Sequence, residues 1–517
     1  MSREHVERLF AALEARPEKP AIVFEGRTWT FAELDRLAAS YARGLAAAGI
    51  ESGDRVAVFA ETCPEVIIAL LGHYRLGAIH VPINTRYRGE EVVHILADSG
   101  AKAVLLRAGS PCAGVVEERA NDSRFRIWIG AQGTAAPSDL LFDRLVEGSP
   151  TGGSMPLPAD EDPAILLYTS GTTGKSKGVE LSFRAVVANT DSVTRLWRFS
   201  PEDRMALALP LFHVHGLGLG VHGALLNGMT LLLFERFEAR RIAEAFEKDG
   251  ATVFQGVPTM YVKLLELLAG EPALARALSR ARLFTAGSAA LAADDFRSFE
   301  ELTGHRILER YGMSETLFTL SNPYEDRRPG TVGLPVPGCE VRLVDESGAE
   351  AAPGEPGEIL VKSNGMMTRY WGRPGETAAS FRDGWFATGD MARQDRDGYG
   401  TILGRKSVDF VKSGGFKIST REVEDVLRRH PLIREVAVVG ASDRVWGQRV
   451  VAAVVLRSAA GPSPSSEALL EELSAFCARS LADYKRPREV RILEDLPRNA
   501  LGKIQKHRIP GSTREET

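Results

Sequence analysis

Between residues 50 and 170, short apolar runs alternate with helix-patterned segments, and this alternation limits the fold more than any other feature of the chain. "DRVAVFA", "KAVLL", "RIWI" and "AILLYT" read as strands, and "CPEVIIALLGHYRLGAIHVPI" as a helix running into a further strand. Apolar strands interleaved with helices require largely buried sheets with helices layered against them. Residues 27–50 add a helical period closed by Gly49. A chain of 517 residues exceeds one comfortable core, so two or three domains are expected. The segment "APSDLLFDRLVEGSPTGGSMPLPADEDP", rich in Gly, Pro and Ser, reads as a surface connection.

From about residue 331 the texture changes. "GCEVRLVD", "GEILVKS" and "GWFATGDMARQDRDGYGTILGR" are short alternating segments bounded by Gly and Asp, as in a β-rich subdomain. After Arg405 helix and strand signals mix again: "TREVEDVLRRHP", "EVAVVGASD", "RVVAAVVL", "SEALLEELSAFCARSLA". The expected fold is α/β: a large N-terminal domain of stacked α/β sheets (1–404) that includes the β-rich subdomain, then a small C-terminal α+β domain (411–517).

Several classes are disfavoured. A net charge of −4 gives no general footprint for nucleic acid or a membrane surface, and neither is expected as a partner. Cys63, Cys112, Cys339 and Cys477 are scattered without C-x-x-C spacing and read as reduced thiols. The start, "MSREHVERLFAALEARP", is an amphipathic helix pattern rather than a secretory signal, and no run reaches 18 apolar residues. A cytoplasmic enzyme is the expectation. The literal G-x-S-x-G pattern occurs once, as Gly174-Lys175-Ser176-Lys177-Gly178, inside a glycine- and lysine-rich stretch rather than at a serine-hydrolase elbow.

The stretch "TSGTTGKSKG" (169–178) concentrates glycines, hydroxyls and lysines after a strand. Backbone N–H groups, hydroxyls and positive charge are the inventory that wraps a polyphosphate. Gly174-Lys175-Ser176 matches the close of a Walker P-loop, but Thr169 stands where its first glycine belongs, and no convincing acidic strand end for Mg²⁺ follows. In "PLFHVHG" two histidines at i, i+2 share a face only in a strand, and no further ligand is nearby, so zinc is not expected.

"YTSGTTGKSKGV", "YGMSET", "WFATGD", "GRKSVDFVKSGG" and "PRNALGK", in this order over some 330 residues, resemble the core motifs of the adenylate-forming superfamily of acyl-CoA synthetases, peptide-synthetase adenylation domains and luciferases. The resemblance implies ATP, Mg²⁺ and coenzyme A. A carboxylate attacks the α-phosphate of ATP, and a thiol then attacks the acyl-adenylate. It also implies roles. Thr169, Ser170, Gly171, Thr172, Thr173, Gly174 and Lys177 would hold the β- and γ-phosphates. Thr316 would touch the α-phosphate, and Glu315 would bind Mg²⁺. Arg310, Tyr311, Gly312 and Ser288 would line the nucleotide site, with Tyr311 on adenine. Asp390 would hold the ribose hydroxyls, assisted by Arg405. Lys503 would reach the α-phosphate and the substrate carboxylate, and a protein lysine acetyltransferase acting on it would silence the first step. His213 would gate the passage between acyl pocket and thiol tunnel, and Ser413, Gly414, Gly415 and Lys417 would line that tunnel. A mobile small domain would turn about a hinge at 405–410, with Ser407 or Val408 as pivot.

Within the superfamily, "ARLFTAGSAAL", "ERYGMSETLFTLSNPY" and "DFVKSGGFKI" look most like malonyl-CoA synthetases that also accept methylmalonate, which points to fatty acid metabolism. A dicarboxylate needs a cation for its distal end. Arg282 is the expected anchor, with Arg236 and Arg310 as alternatives and Ser288 and Met313 beside it. The competing readings are a ligase for a medium-chain or aryl monocarboxylate, and a stand-alone adenylation enzyme that loads a carrier protein.

Overall fold

The computed structural model describes residues 2–119, 125–130, 139–147, 155–169, 176–406, 409–413, 416–457, 464–498 and 504–512. The chain divides into two compact units, residues 1–340 with 362–384, and residues 341–361 with 385–517.

The first unit holds two large sheets. In one, the strands Leu308–Met313, Leu283–Ala286, Val253–Gly256, Arg204–Leu207 and Thr230–Leu233 lie side by side and parallel. In the other, Pro163–Thr169, Ile79–Pro82, Arg55–Phe59, Ala103–Arg107 and Phe125–Ile129 are likewise parallel neighbours. These are the apolar runs that the sequence presents as strands; Val56, Ala57, Leu105 and Leu106 are fully buried, as strands covered on both faces must be. Helices close the layers. Thr30 opens Phe31–Ala47 with a capping box, its hydroxyl accepting from Glu33 N while Glu33 returns the bond to Thr30 N. Ser182 caps Phe183–Leu196 in the same manner, by accepting from Ala185 N. The expected surface connection is only partly one: residues 140–147 form a short strand and the helix Phe142–Glu147, whose Phe142 is buried against Tyr41.

In the second unit, Gly357–Ser363, Trp385–Gln394 and Gly400–Arg405 form an antiparallel ribbon. A further sheet joins Phe416–Ser419, Phe410–Ser413, Gly447–Leu456 and Ile433–Asp443, with Glu489–Ile492 alongside. Val423 and Leu427 from one helix, and Leu469, Leu473 and Cys477 from another, pack with its Val411, Ile418 and Val450. In this division the strands Trp385–Gln394 and Gly400–Arg405 group with the terminal module. Ser419 Oγ donates to Leu403 O at 3.2 Å, and Arg421 reaches Ile402 O, so the last ribbon strand is tied to the helix that follows.

Candidate active site

The glycine-rich stretch lies in the sequence between two paired strands. Pro163–Thr169 pairs antiparallel with Lys177–Ser182, and Thr169 faces Lys177 across the ladder. A Walker loop runs from strand into helix; this one runs from strand into strand, so no helix dipole stands behind it. Ser170, Gly171, Thr172, Thr173 and Gly174 lie outside the described residues. The base of the loop is tethered: His94 Nε2 lies 2.9 Å from the carbonyl of Ser176. Lys177 pairs with Glu376 and stands 5.5 Å from the centre of the Tyr370 ring, and the ammonium holds the Glu376 carboxyl below its usual range.

A second hairpin carries "YGMSET". Leu308–Met313 turns into Leu317–Ser321, with Met313 opposite Leu317. Gly312 is required here, since a Cβ would lie 1.9 Å from Leu317 O. Glu315 is buried and accepts a hydrogen bond from the Tyr370 hydroxyl at 3.1 Å. Thr316 is fully buried, its hydroxyl 2.9 Å from that of Thr319. That inward turn does not suit the phosphate contact expected of Thr316. Ser314, two residues earlier, is half-buried and offers the accessible hydroxyl of the turn. The sequence reading passed over it, because alternation along a strand would put residues 314 and 316 on one face and does not show the turn that separates them. Tyr311 is half-buried with its hydroxyl 4.0 Å from Met313 Sδ.

The first strand of this hairpin also carries a buried cation, Arg310. Ala286 pairs with Glu309, which brings Gly287 level with Arg310. A Cβ at 287 would lie 2.6 Å from Arg310 Cζ, so a side chain there would displace the guanidinium from this position. Arg310 is 4% exposed; among the described residues its Nε and Nη2 have no hydrogen-bond partner. Its Cζ lies 5.0 Å from the centre of the Phe318 ring. Burial pulls its pKa down to about 9, so it remains charged at neutral pH. His215, also buried, bonds Ser288 Oγ through Nδ1 at 3.3 Å, while its Nε2 has no partner among the described residues. Ser288 adopts φ +67°, a left-handed conformation that costs a non-glycine residue roughly 1–2 kcal/mol. His213 accepts from His215 N through Nδ1 at 3.2 Å. Burial first, then the Arg310 charge, lowers His213 to about 4 and His215 well below its ordinary value, so both rings are neutral at pH 7.

Arg282 is not part of this pocket. It precedes Leu283–Ala286, whereas Gly287 and Ser288 follow that strand. Five residues of extended chain separate it from the level of Arg310, about 16 Å. Its Nε and Nη2 bind both oxygens of buried Asp203 at 2.8 and 2.7 Å, and Nη1 donates to Trp197 O at 2.9 Å. Each nitrogen of this guanidinium is engaged within the fold, which makes its work structural. Arg236 is excluded as well, since its side chain is 79% exposed and pairs with Glu238.

In the second unit Asp390 and Arg405 face each other across the ribbon, with Arg405 Nε 3.0 Å from Asp390 Oδ1. Asp409 Oδ2 accepts from Arg405 N at 2.8 Å, and Asp409 N donates to Arg405 O, so the two residues are bonded twice. Lys506 holds the same aspartate, with Nζ 2.5 Å from Asp409 Oδ1, 2.8 Å from Glu424 and 2.6 Å from Thr420 Oγ1. Ser413 is buried. Lys417 belongs to Phe416–Ser419. Lys503, Gly414, Gly415, Ser407 and Val408 lie outside the described residues. One feature escaped the sequence reading: Trp446, at the tip of the hairpin joining Ile433–Asp443 to Gly447–Leu456, is 42% exposed with Arg488 Cζ 5.3 Å from its ring centre.

The family model described as AMP-binding enzyme matches residues 9–371, and its C-terminal domain model matches residues 422–503. The chain is an adenylate-forming enzyme of the AMP-binding family. Among its relatives, the malonate–CoA ligase of Arabidopsis thaliana is 35% identical over 486 residues, 90% of this chain and 79% of that protein. The feruloyl-CoA synthase of an Amycolatopsis species is 35% identical over 499 residues, 95% of this chain and 96% of that one. The crystal structure of ATP-bound MatB from Rhodopseudomonas palustris superposes with a TM-score of 0.88 at 35% identity, covering 97% of each chain. This adenylate-forming enzyme is an AMP-forming acid–thiol ligase that uses ATP and coenzyme A. No helix among its described residues is long and apolar enough to cross a membrane.

Proposed function

We propose that the ligase activates a small dicarboxylate, malonate and also methylmalonate, and transfers the acyl group to coenzyme A. The observation that carries this reading is the Arg310 guanidinium, buried with two nitrogens unpartnered among the described residues and neutral His215 beside it. A buried unpaired cation is costly, and a distal carboxylate would satisfy it by bidentate hydrogen bonds. A butyl or aryl tail would bury the charge unpaired, which disfavours the monocarboxylate alternatives. The malonate–CoA ligase and MatB relatives support the same choice.

The remaining roles follow the chemistry. The proximal carboxylate attacks the α-phosphorus, the bond to the bridging oxygen breaks, and pyrophosphate leaves. Lys177 and residues 169–174 hold the departing phosphates. Ser314 donates to the α-phosphate, in place of Thr316. Glu315 suits Mg²⁺: it is a hard oxygen ligand, and a Mg²⁺ ion takes most of its other ligands from phosphate and water. When bound, that ion supplies charge neutralisation between two anions. Tyr311 packs on adenine, Asp390 and Arg405 hold the ribose, and Lys503 neutralises the reacting oxygens. In the second step the thiol sulfur attacks the acyl carbon, AMP leaves, and the thiol proton is released; neutral His213 stands between acyl pocket and thiol. Ser413, Gly414, Gly415 and Lys417 flank the pantetheine, and exposed Trp446 with Arg488 offers a stacking and cationic face to its nucleotide end.

The test is AMP release, dependent on ATP and CoA, across malonate, methylmalonate, butyrate and ferulate. Malonate should lead and butyrate, close in size without the second charge, should be poor. Equal turnover of butyrate and malonate overturns the dicarboxylate reading.

A further inference from the structure

Residues His215–His222, "HGLGLGVH", form a π-helix. Such helices have poorer internal geometry than α-helices and occur where surroundings hold them, often at functional sites. Two side chains capture this one's carbonyls. His222 Nδ1 lies 2.7 Å from Leu217 O. A carbonyl only accepts, so Nδ1 carries the proton and Nε2 the lone pair. Nε2, 2.9 Å from the Tyr74 hydroxyl, must then accept from it. Separately, Gln255 Nε2 donates to Leu219 O at 3.2 Å. Tyr74, His222 and Gln255 are all fully buried, and no step of the chemistry above uses them.

The held helix leads directly to the acyl pocket. Its first residue, His215, bonds Ser288. Gly218 follows the captured Leu217, and a Cβ there would lie 3.3 Å from the Phe318 ring, the ring that carries Arg310 on it. Gly216 and Gly220 are pressed as closely elsewhere: a Cβ would meet Pro210 O at 2.4 Å and Leu207 Cδ1 at 2.8 Å. The segment therefore has little room to move without displacing either the sheet or Phe318.

We propose that Tyr74 and Gln255 are positioning residues for the acid site: by holding the π-helical register they keep His215, Phe318 and Arg310 set to receive the substrate's anionic tail. The proposal rests on Arg310 as that tail's seat. Releasing either carbonyl lets the segment relax toward an ordinary α-helical register, shifting the pocket wall at His215 and Phe318.

The test compares Tyr74→Phe, Gln255→Met and Tyr41→Phe in the full chain. Tyr41 is an equally buried tyrosine whose hydroxyl lies 3.5 Å from His73, not against the π-helix, so its variant controls for general loss of stability. KM is measured for ATP and for whichever acid the wild type turns over best. Tyr74→Phe and Gln255→Met should raise the acid KM about tenfold or more, with the ATP KM within twofold of wild type; Tyr41→Phe should change neither. An unchanged acid KM in both variants, a parallel rise in both KM values, or the same effect from Tyr41→Phe overturns the proposal. If the best acid proves not to be a dicarboxylate yet the selective rise is seen, the positioning role stands and only the malonate reading falls.

Discussion

Arg282 and Arg310 stand on neighbouring parallel strands of one sheet, and their surroundings give them opposite work. Arg282 engages all three of its nitrogens with Asp203 and Trp197, whereas Arg310 is walled in by Gly287, Phe318 and His215 with nitrogens to spare among the described residues. Arg310→Met should therefore lower kcat/KM for malonate by roughly 10²-fold or more and narrow the preference over butyrate, because the loss removes a buried charge partner. Steady-state kinetics on both acids check this, and an unchanged ratio would count against it. Arg282→Ala should act on stability instead. It strands a carboxylate whose side chain is 3% exposed, a change that costs about 3–5 kcal/mol. Its unfolding midpoint should fall while the KM for malonate in the folded enzyme stays near wild type. Composition and motif could not separate these two arginines, but strand direction could have done so. Parallel sheets present ligands at their carboxyl ends, and Arg282 precedes its strand while Arg310 lies within the next, level with the residue that follows it.

Strands and helices were the most legible level, because apolar runs and helical periods are local: "DRVAVFA", "KAVLL" and "AILLYT" are strands, and "TREVEDVL" is a helix. Which hydroxyl of "YGMSET" turns outward was not legible, since it depends on the partner strand that buries Thr316 against Thr319. The π-helix was hidden for a like reason, because its register is imposed by Tyr74 and Gln255 from distant elements. The burial of His222 sets a pH dependence. Burial lowers His222 to about 4, against an ordinary 6.5. The unfolded chain thus takes up a proton near pH 6.5 that the folded chain refuses until near pH 4. Stability from this group is complete above 6.5 and is lost as pH falls, by about 2 kcal/mol at pH 5. His73, lowered to about 3 by burial, adds in the same direction. The apparent unfolding midpoint should drop from pH 7 to pH 5, and His222→Gln should drop less over that interval. Equal drops in both proteins would exclude His222 as a source.

At the scale of the molecule, two lysines three residues apart have different work. Lys506 is committed within its own unit: Asp409, Glu424 and Thr420 occupy its ammonium, and the neighbouring carboxylates raise its pKa despite burial. Lys503 belongs to the motif assigned to the α-phosphate, and the reaction needs a cation there in one step only, when two anions are joined. Their variants should then part company. Lys503→Ala should cut acyl-adenylate formation by about 10²-fold or more, a loss of roughly 2.7 kcal/mol in the barrier, and leave thioester formation from a supplied acyl-adenylate within a few-fold of wild type. Its unfolding midpoint should not move. Lys506→Met leaves Asp409 and Glu424 facing each other without their cation. It should therefore lower the unfolding midpoint and reduce both half-reactions together, since Asp409 also accepts from Arg405 N. Pyrophosphate release, thioester formation and thermal unfolding on the two purified variants separate these outcomes. If Lys503→Ala slows both steps alike, the lysine holds structure rather than charge at the reacting phosphate. If Lys506→Met spares the fold but stops only adenylation, the cation that meets the α-phosphate has been assigned to the wrong lysine.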